Sequence, residues 1–203
     1  MYACVKRTID VVGATVLLLA ASPVLLLAAL LVRVTMGSPV LFRQTRAGLG
    51  DRSFTLLKFR TMRPPAPGEI TVASDAARLT RVGGWLRRTS IDELPQVLNV
   101  LHGDMSLVGP RPLLPQYLSR YSVEQARRHE VRPGVTGLVQ VSGRNALSWN
   151  DRLALDVWYI DHRSIRLDLW ILGRTVFAVL SGRGARDGHV TSMEFMGSGP
   201  CDS

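Results

Sequence analysis

An uncharged, mostly aliphatic run from Val11 to Val32 opens the chain, interrupted at Ser22-Pro23. As one straight helix it measures ~33 Å, enough to cross the hydrocarbon core of a bilayer. Pro23 removes a backbone donor and crowds the preceding turn, so the helix is expected to kink or reverse there. Basic residues flank both ends: Lys6 and Arg7 before the run, Arg33, Arg43 and Arg46 after it. A single crossing cannot keep both flanks on the cytoplasmic side, whereas a segment that enters, turns and returns does. The pattern predicts a re-entrant membrane hairpin broken at Ser22 and Pro23. A kinked single-pass anchor is the main alternative, and a buried soluble helix the weaker one. A cleaved signal peptide fits poorly, because the apolar part is too long and no small-x-small site precedes a plausible mature start.

Beyond the run the pattern shortens. Val40 to Gln44 and Ser53 to Phe59 read as strands around the turn Gly48-Leu49-Gly50-Asp51, and Pro64 to Gly68 as a loop. Leu79 to Arg88 and Pro95 to His102 read as short helices, the second stopped by Gly103. Two prolines stiffen the backbone around Arg111. Leu114 to Glu130 is expected to be helical, and Leu138 to Val141 a strand after the turn Arg132 to Gly137. Asp151 to Asp161 is amphipathic. Asp168 to Leu180 is apolar but too short to span. With Trp158 and Trp170 nearby, these last two segments suit helices at a membrane surface, with core packing as the alternative. The predicted fold is α/β, mostly helical with short strands. Residues 1–36 form the membrane hairpin, 37–184 a compact cytoplasmic domain with interfacial helices, and 185–203 a Gly- and Ser-rich tail.

Composition narrows the partners. A net charge of +9 calls for an anionic partner. Of the 25 basic residues only Lys6 and Lys58 are lysine, and arginine's planar fork suits phosphate. Codon bias accounts for much of the arginine excess, which makes the lysine at 58 more notable. Aromatics are too sparse for a base-stacking surface, so no nucleic-acid partner is expected. Cys4 and Cys201 form no CxxC or metal pattern, which argues against a disulfide-built secreted domain.

The chemistry concentrates at Asp92-Glu93. Either Pro95 begins the following helix and leaves both acids on the entering loop, or Ser90 caps the helix and Glu93 completes an S-x-x-E box. In both cases the helix dipole and upstream arginines are expected to favour an ionised Asp92. Adjacent carboxylates can divide labour, one attacking phosphorus while the other helps hold Mg²⁺ against a diphosphate. Alone, the pair is also what ordinary helix capping looks like.

Four segments occur in order: Lys58-Phe59-Arg60-Thr61-Met62, Asp92 to Gln96, Gly103 to Pro112 and Arg132 to Gly137. Together they resemble the bacterial sugar transferases that act on polyprenyl phosphate, the monotopic phosphoglycosyltransferases, in their minimal catalytic form. The resemblance runs from Lys6 to about Gly184. It implies a bacterial inner-membrane enzyme facing the cytoplasm that moves a sugar-1-phosphate from a UDP-sugar to undecaprenyl phosphate, releasing UMP. It implies Asp92 as nucleophile through a phosphosugar intermediate, with Glu93 supporting Mg²⁺ binding, and a re-entrant helix broken at Ser22-Pro23. Lys58, Arg87, Arg111 and Arg144 are expected at phosphates, and Asp156 as a substrate contact or a structural ion-pair partner. Phospholipid is the expected surrounding partner, and homo-oligomerisation is left open. The rival reading is a non-enzymatic, basic membrane-surface adaptor, which explains the charge and anchor but assigns nothing to Asp92-Glu93.

Overall fold

The computed structural model of the chain describes residues 2–65, 75–143, 147–181 and 195–197. Arg144, the end of the loop predicted at 64–68, and the predicted tail apart from 195–197 lie outside the described residues. The apolar run falls within one helix, α1 (Tyr2–Met36), which is long and apolar enough to cross a membrane. The helix continues through Pro23. Proline cannot donate to the Leu19 carbonyl four residues back, and the Ser22 hydroxyl donates to that oxygen instead, at 2.8 Å. The sequence break is thereby accommodated locally.

Both ends of α1 rest on the rest of the protein. Near the N-terminus, Lys6 Nζ donates to Asp168 at 2.8 Å, and Arg7 donates to the carbonyls of Val100 and Leu101. Asp10 accepts from the Ser106 hydroxyl and the Leu107 amide, each at 3.0 Å. Near the C-terminus, Ala28 and Val32 are buried with Phe59 and Leu86, and Arg60 donates to the Met36 carbonyl. Between these anchors Val16, Leu19, Leu26 and Leu30 are exposed.

The hairpin β1 (Leu41–Ala47) and β2 (Ser53–Phe59) is antiparallel, from Leu41 opposite Phe59 to Ala47 opposite Ser53. The short helix α2 (Asp75–Arg78) precedes α3 (Arg81–Arg88), which Thr80 caps by accepting from the Gly83 amide at 2.9 Å. In α4 (Gln96–His102), Gly103 ends the helix in the left-handed region, as expected. Buried Asn99 keys α4 to β2, accepting from the Leu57 amide and donating to the Thr55 carbonyl. The main core gathers Leu56, Val97, Val100, Met105, Leu107, Tyr159 and Ile171 around Ala14 of α1.

Two expectations need correction. The segment 114–130 is not one helix. It comprises 3₁₀ turns at Pro115–Arg120 and Arg127–Glu130 flanking α5 (Val123–Ala126), which Ser122 and Gln125 start with a capping box. Tyr121 and Ser122 adopt extended backbone, with ψ of 143° and 164°, which breaks the helical path and lets Ser122 cap a new turn. The strand expected at 138–141 is instead the helix α6 (Leu138–Ser142). The strand is β4 (Gly134–Thr136), paired parallel with β3 (Ser106–Val108). A Cβ at Gly134 would lie 2.1 Å from the Gly109 nitrogen, so the glycines of both segments permit backbone-on-backbone contact. The last helices among the described residues are α7 (Trp149–His162) and α8 (Ile165–Leu180). Their inner faces bury Tyr159, Ile160 and Ile171, while Trp158, Leu169, Trp170 and Phe177 are exposed.

Candidate active site

The acid pair occupies a 3₁₀ turn, Ile91–Glu93, that enters α4 through Pro95. Ser90 is left-handed and makes no side-chain cap, so of the two sequence readings the one with both acids on the entering loop holds. Because Asn99 fixes α4 against β2, the turn is delivered beside Lys58 on that strand. Lys58 Nζ donates to Glu93 Oε1 at 2.7 Å. Arg111 Nη2 donates to the same oxygen at 3.0 Å. One carboxylate oxygen thus gathers two cations drawn from segments far apart in sequence.

Arg111 is presented by a loop anchored on the small parallel sheet. The Gly109 amide donates to the Thr136 carbonyl and the Gly134 amide to the Pro110 carbonyl, both at 2.9 Å. Arg87 projects from α3 and donates to the Thr61 hydroxyl at 3.1 Å. Gly83 lets α3 approach this segment, since a Cβ there would sit 1.9 Å from the Thr61 carbonyl oxygen. Lys58, Arg87, Asp92, Glu93, Arg111 and Asp156 all line one cleft of about 910 Å³. The same cleft extends past Leu17 of α1 and Leu172, Val176 and Val179 of α8, so a charged end is continuous with an apolar one.

The two acids differ in electrostatics. Burial, followed by the charge of Glu93, pushes the Asp92 carboxyl up from 3.8 to about 6. The expected shift toward the anion is corrected in direction, because desolvation and its neighbour outweigh Lys58, Arg87 and Arg111, while a carboxyl near 6 is still mostly ionised at neutral pH. Burial also acts to raise Glu93, but Arg111 and Lys58 overcome it and hold that carboxyl well below the usual range. Among the described residues nothing donates a hydrogen bond to Asp92, leaving its oxygens to the cleft.

Asp156 is engaged. Its Oδ2 accepts from Arg128 Nε at 3.1 Å and Nη2 at 2.7 Å. Arg128 is a cleft residue the sequence reading missed, because Arg127-Arg128 reads as a charged helix surface and no motif distinguishes the inward arginine. Gln44 was missed as well. Gln44 lines the cleft and accepts from Arg46 Nη2 at 2.6 Å. Burial, then the charge of Arg111, lowers the Arg46 guanidinium to about 10.

Among the described residues no group of three or more His, Cys, Asp or Glu side chains is placed to enclose a metal. Two adjacent carboxylates fit a hard cation that also takes oxygens from a phosphorylated substrate, rather than a protein-only cage.

Residues 1–182 match the family model described as bacterial sugar transferase. The chain is 51% identical over 199 residues to a protein of Bacillus subtilis called uncharacterized sugar transferase EpsL, covering 98% of each. It is 47% identical to the UDP-glucose:undecaprenyl-phosphate glucose-1-phosphate transferase of Caulobacter vibrioides, covering 87% of this chain and 70% of that protein. It is 42% identical to the undecaprenyl-phosphate glucose phosphotransferase of Komagataeibacter xylinus, covering 89% of this chain and 36% of that longer protein.

Proposed function

This chain belongs to the bacterial sugar transferase family and is a phosphoglycosyltransferase, and we propose that it transfers a sugar-1-phosphate from a UDP-sugar to undecaprenyl phosphate through Asp92. The observation that carries this reading is the division of labour inside the acid pair. Glu93 holds Lys58 and Arg111, while buried Asp92 faces the cleft with no hydrogen-bond donor among the described residues.

In the first half-reaction an Asp92 carboxylate oxygen attacks the sugar-side phosphorus of the donor. The bond from that phosphorus to the bridging oxygen breaks, UMP leaves with the electron pair, and an acyl phosphosugar remains. In the second, an undecaprenyl phosphate oxygen attacks the same phosphorus and Asp92 departs as carboxylate. No proton is transferred in either step, consistent with a site that needs no histidine. Lys58, Arg111 and Arg87 stabilise the charge carried by the phosphates. Mg²⁺, held by Asp92 and Glu93 oxygens together with substrate phosphates, would supply further neutralisation of the diphosphate. The apolar end of the cleft between α1 and α8 suits the first isoprene units of the acceptor.

The same reading places α1 as a re-entrant, monotopic element with the domain facing the cytoplasm. Lys6 and Arg7 at one end and Met36 at the other contact one body, while the exposed apolar residues between them face lipid. The exposed tryptophans of α7 and α8 suit the headgroup zone. The test of function is UMP release from a panel of UDP-sugars with undecaprenyl phosphate and Mg²⁺. The wild-type chain is expected to use at least one donor and Asp92→Asn none. Undiminished release by Asp92→Asn overturns the assignment, and no release from any UDP-sugar by the wild type favours the adaptor.

A further inference from the structure

Arg128 is 3% exposed, yet it does more than neutralise Asp156, itself 5% exposed. Its guanidinium is shared among three acceptors. Nε and Nη2 reach Asp156 Oδ2, Nη1 donates to the Tyr121 hydroxyl at 3.2 Å, and Nη2 donates to the backbone carbonyl of Arg111 at 2.8 Å. We propose that Arg128, oriented by Asp156, is a positioning residue that fixes the root of Arg111 so that its guanidinium stays on Glu93; the proposal deepens the phosphotransfer reading and rests on it.

The need for such a device is physical. The Arg111 side chain is half-exposed and its contact in the cleft is the shared Glu93 oxygen. A long arginine in that situation has considerable rotamer entropy working against one geometry. The Pro110 carbonyl is tied to Gly134 and the Leu113 carbonyl to Ala47. The Arg111 carbonyl lies between these ties, and Arg128 supplies the bond that completes the clamp. Asp156 cancels the charge of Arg128, so the clamp adds donors without adding net charge to the phosphate cleft. Only a planar fork spans Asp156, Tyr121 and the carbonyl at once. A lysine has the charge but not the reach.

A double-mutant cycle on the full-length, detergent-purified protein tests this, using single-turnover UMP release with enzyme in excess so that slow variants are resolved. Arg128→Lys is expected to slow release about tenfold or more in the wild-type background and less than about twofold when Arg111 is already Lys. A melting curve on each variant checks folding. If Arg128→Lys does not fold, Tyr121→Phe removes one acceptor and leaves the ion pair, and its smaller loss is likewise expected to vanish beside Arg111→Lys. Equal losses in both backgrounds, or no loss in either, overturn the positioning role. Because wild-type release is measured first, failure of the phosphotransfer reading is distinguishable from failure of this one.

Discussion

Asp92 and Glu93 are adjacent in the chain and opposite in electrostatic situation: burial and its neighbour raise Asp92 to about 6, while Arg111 and Lys58 hold Glu93 far below the usual range. Environments that push two carboxyls apart mark a division of roles. Glu93 stays anionic and organises cations; Asp92 is less stabilised as an anion, which suits the nucleophile of the proposed reaction once it ionises.

The raised Asp92 carboxyl carries a stability cost with a definite sign. The cost is absent below about pH 4, where the carboxyl is protonated folded and unfolded alike, and it builds as pH rises through about 6. At neutral pH, Asp92→Asn removes a penalty of up to ~3 kcal/mol. The variant is therefore expected to melt several degrees higher than wild type while losing UMP release. A lower melting temperature at neutral pH contradicts the buried, charge-strained Asp92.

The same titration shapes the rate. UMP release is expected to rise as pH passes about 6 and then level. Glu93→Gln removes one cause of the shift and frees Lys58 and Arg111 towards Asp92. Its acid limb should move to lower pH, with a maximal rate down about 100-fold or more. An unmoved acid limb in Glu93→Gln argues against coupling between the two carboxyls.

Glycine positions separate packing from chemistry. Gly83→Ala drives a Cβ into the Thr61 carbonyl and is expected to cost about 3 kcal/mol or more, displacing Arg87. Gly173→Ala in α8 meets nothing within 4 Å and is expected to be neutral or to stabilise by up to about 1 kcal/mol. Thermal melts of the two variants check the contrast.

Topology is accessible through Cys4, which is free and exposed. In a Cys201→Ser background, an impermeant thiol reagent is expected to label Cys4 only after the cells are opened. Labelling in intact spheroplasts places the N-terminus outside and refutes the re-entrant reading.

Much of this was legible in the sequence, for identifiable reasons. The hairpin of β1 and β2, the stop at Gly103 and the helices α3, α4, α7 and α8 follow local periodicity and glycine chemistry. Lys58, Arg87, Asp92, Glu93 and Arg111 fall in or near the recognised segments, and they converge with Asp156 of α7 on one cleft. The segment 114–130 was not legible, because extended backbone at Tyr121 and Ser122 splits it into separate short turns. Nor was β4, where Gly134 trades side chain for contact with Gly109. The Asp92 shift was misjudged in direction because dipole and arginine are visible in sequence whereas desolvation depends on the folded surroundings.

The central claim is covalent transfer through Asp92, and the most direct measurement omits the acceptor. The enzyme is mixed with a reactive UDP-sugar and Mg²⁺ but no undecaprenyl phosphate. UMP is counted per enzyme, and the protein is digested for mass analysis. The account predicts a burst approaching one UMP per active site, a phosphosugar on the peptide carrying Asp92, and neither in Asp92→Asn. UMP appearing only once undecaprenyl phosphate is added, with no modified peptide, contradicts it.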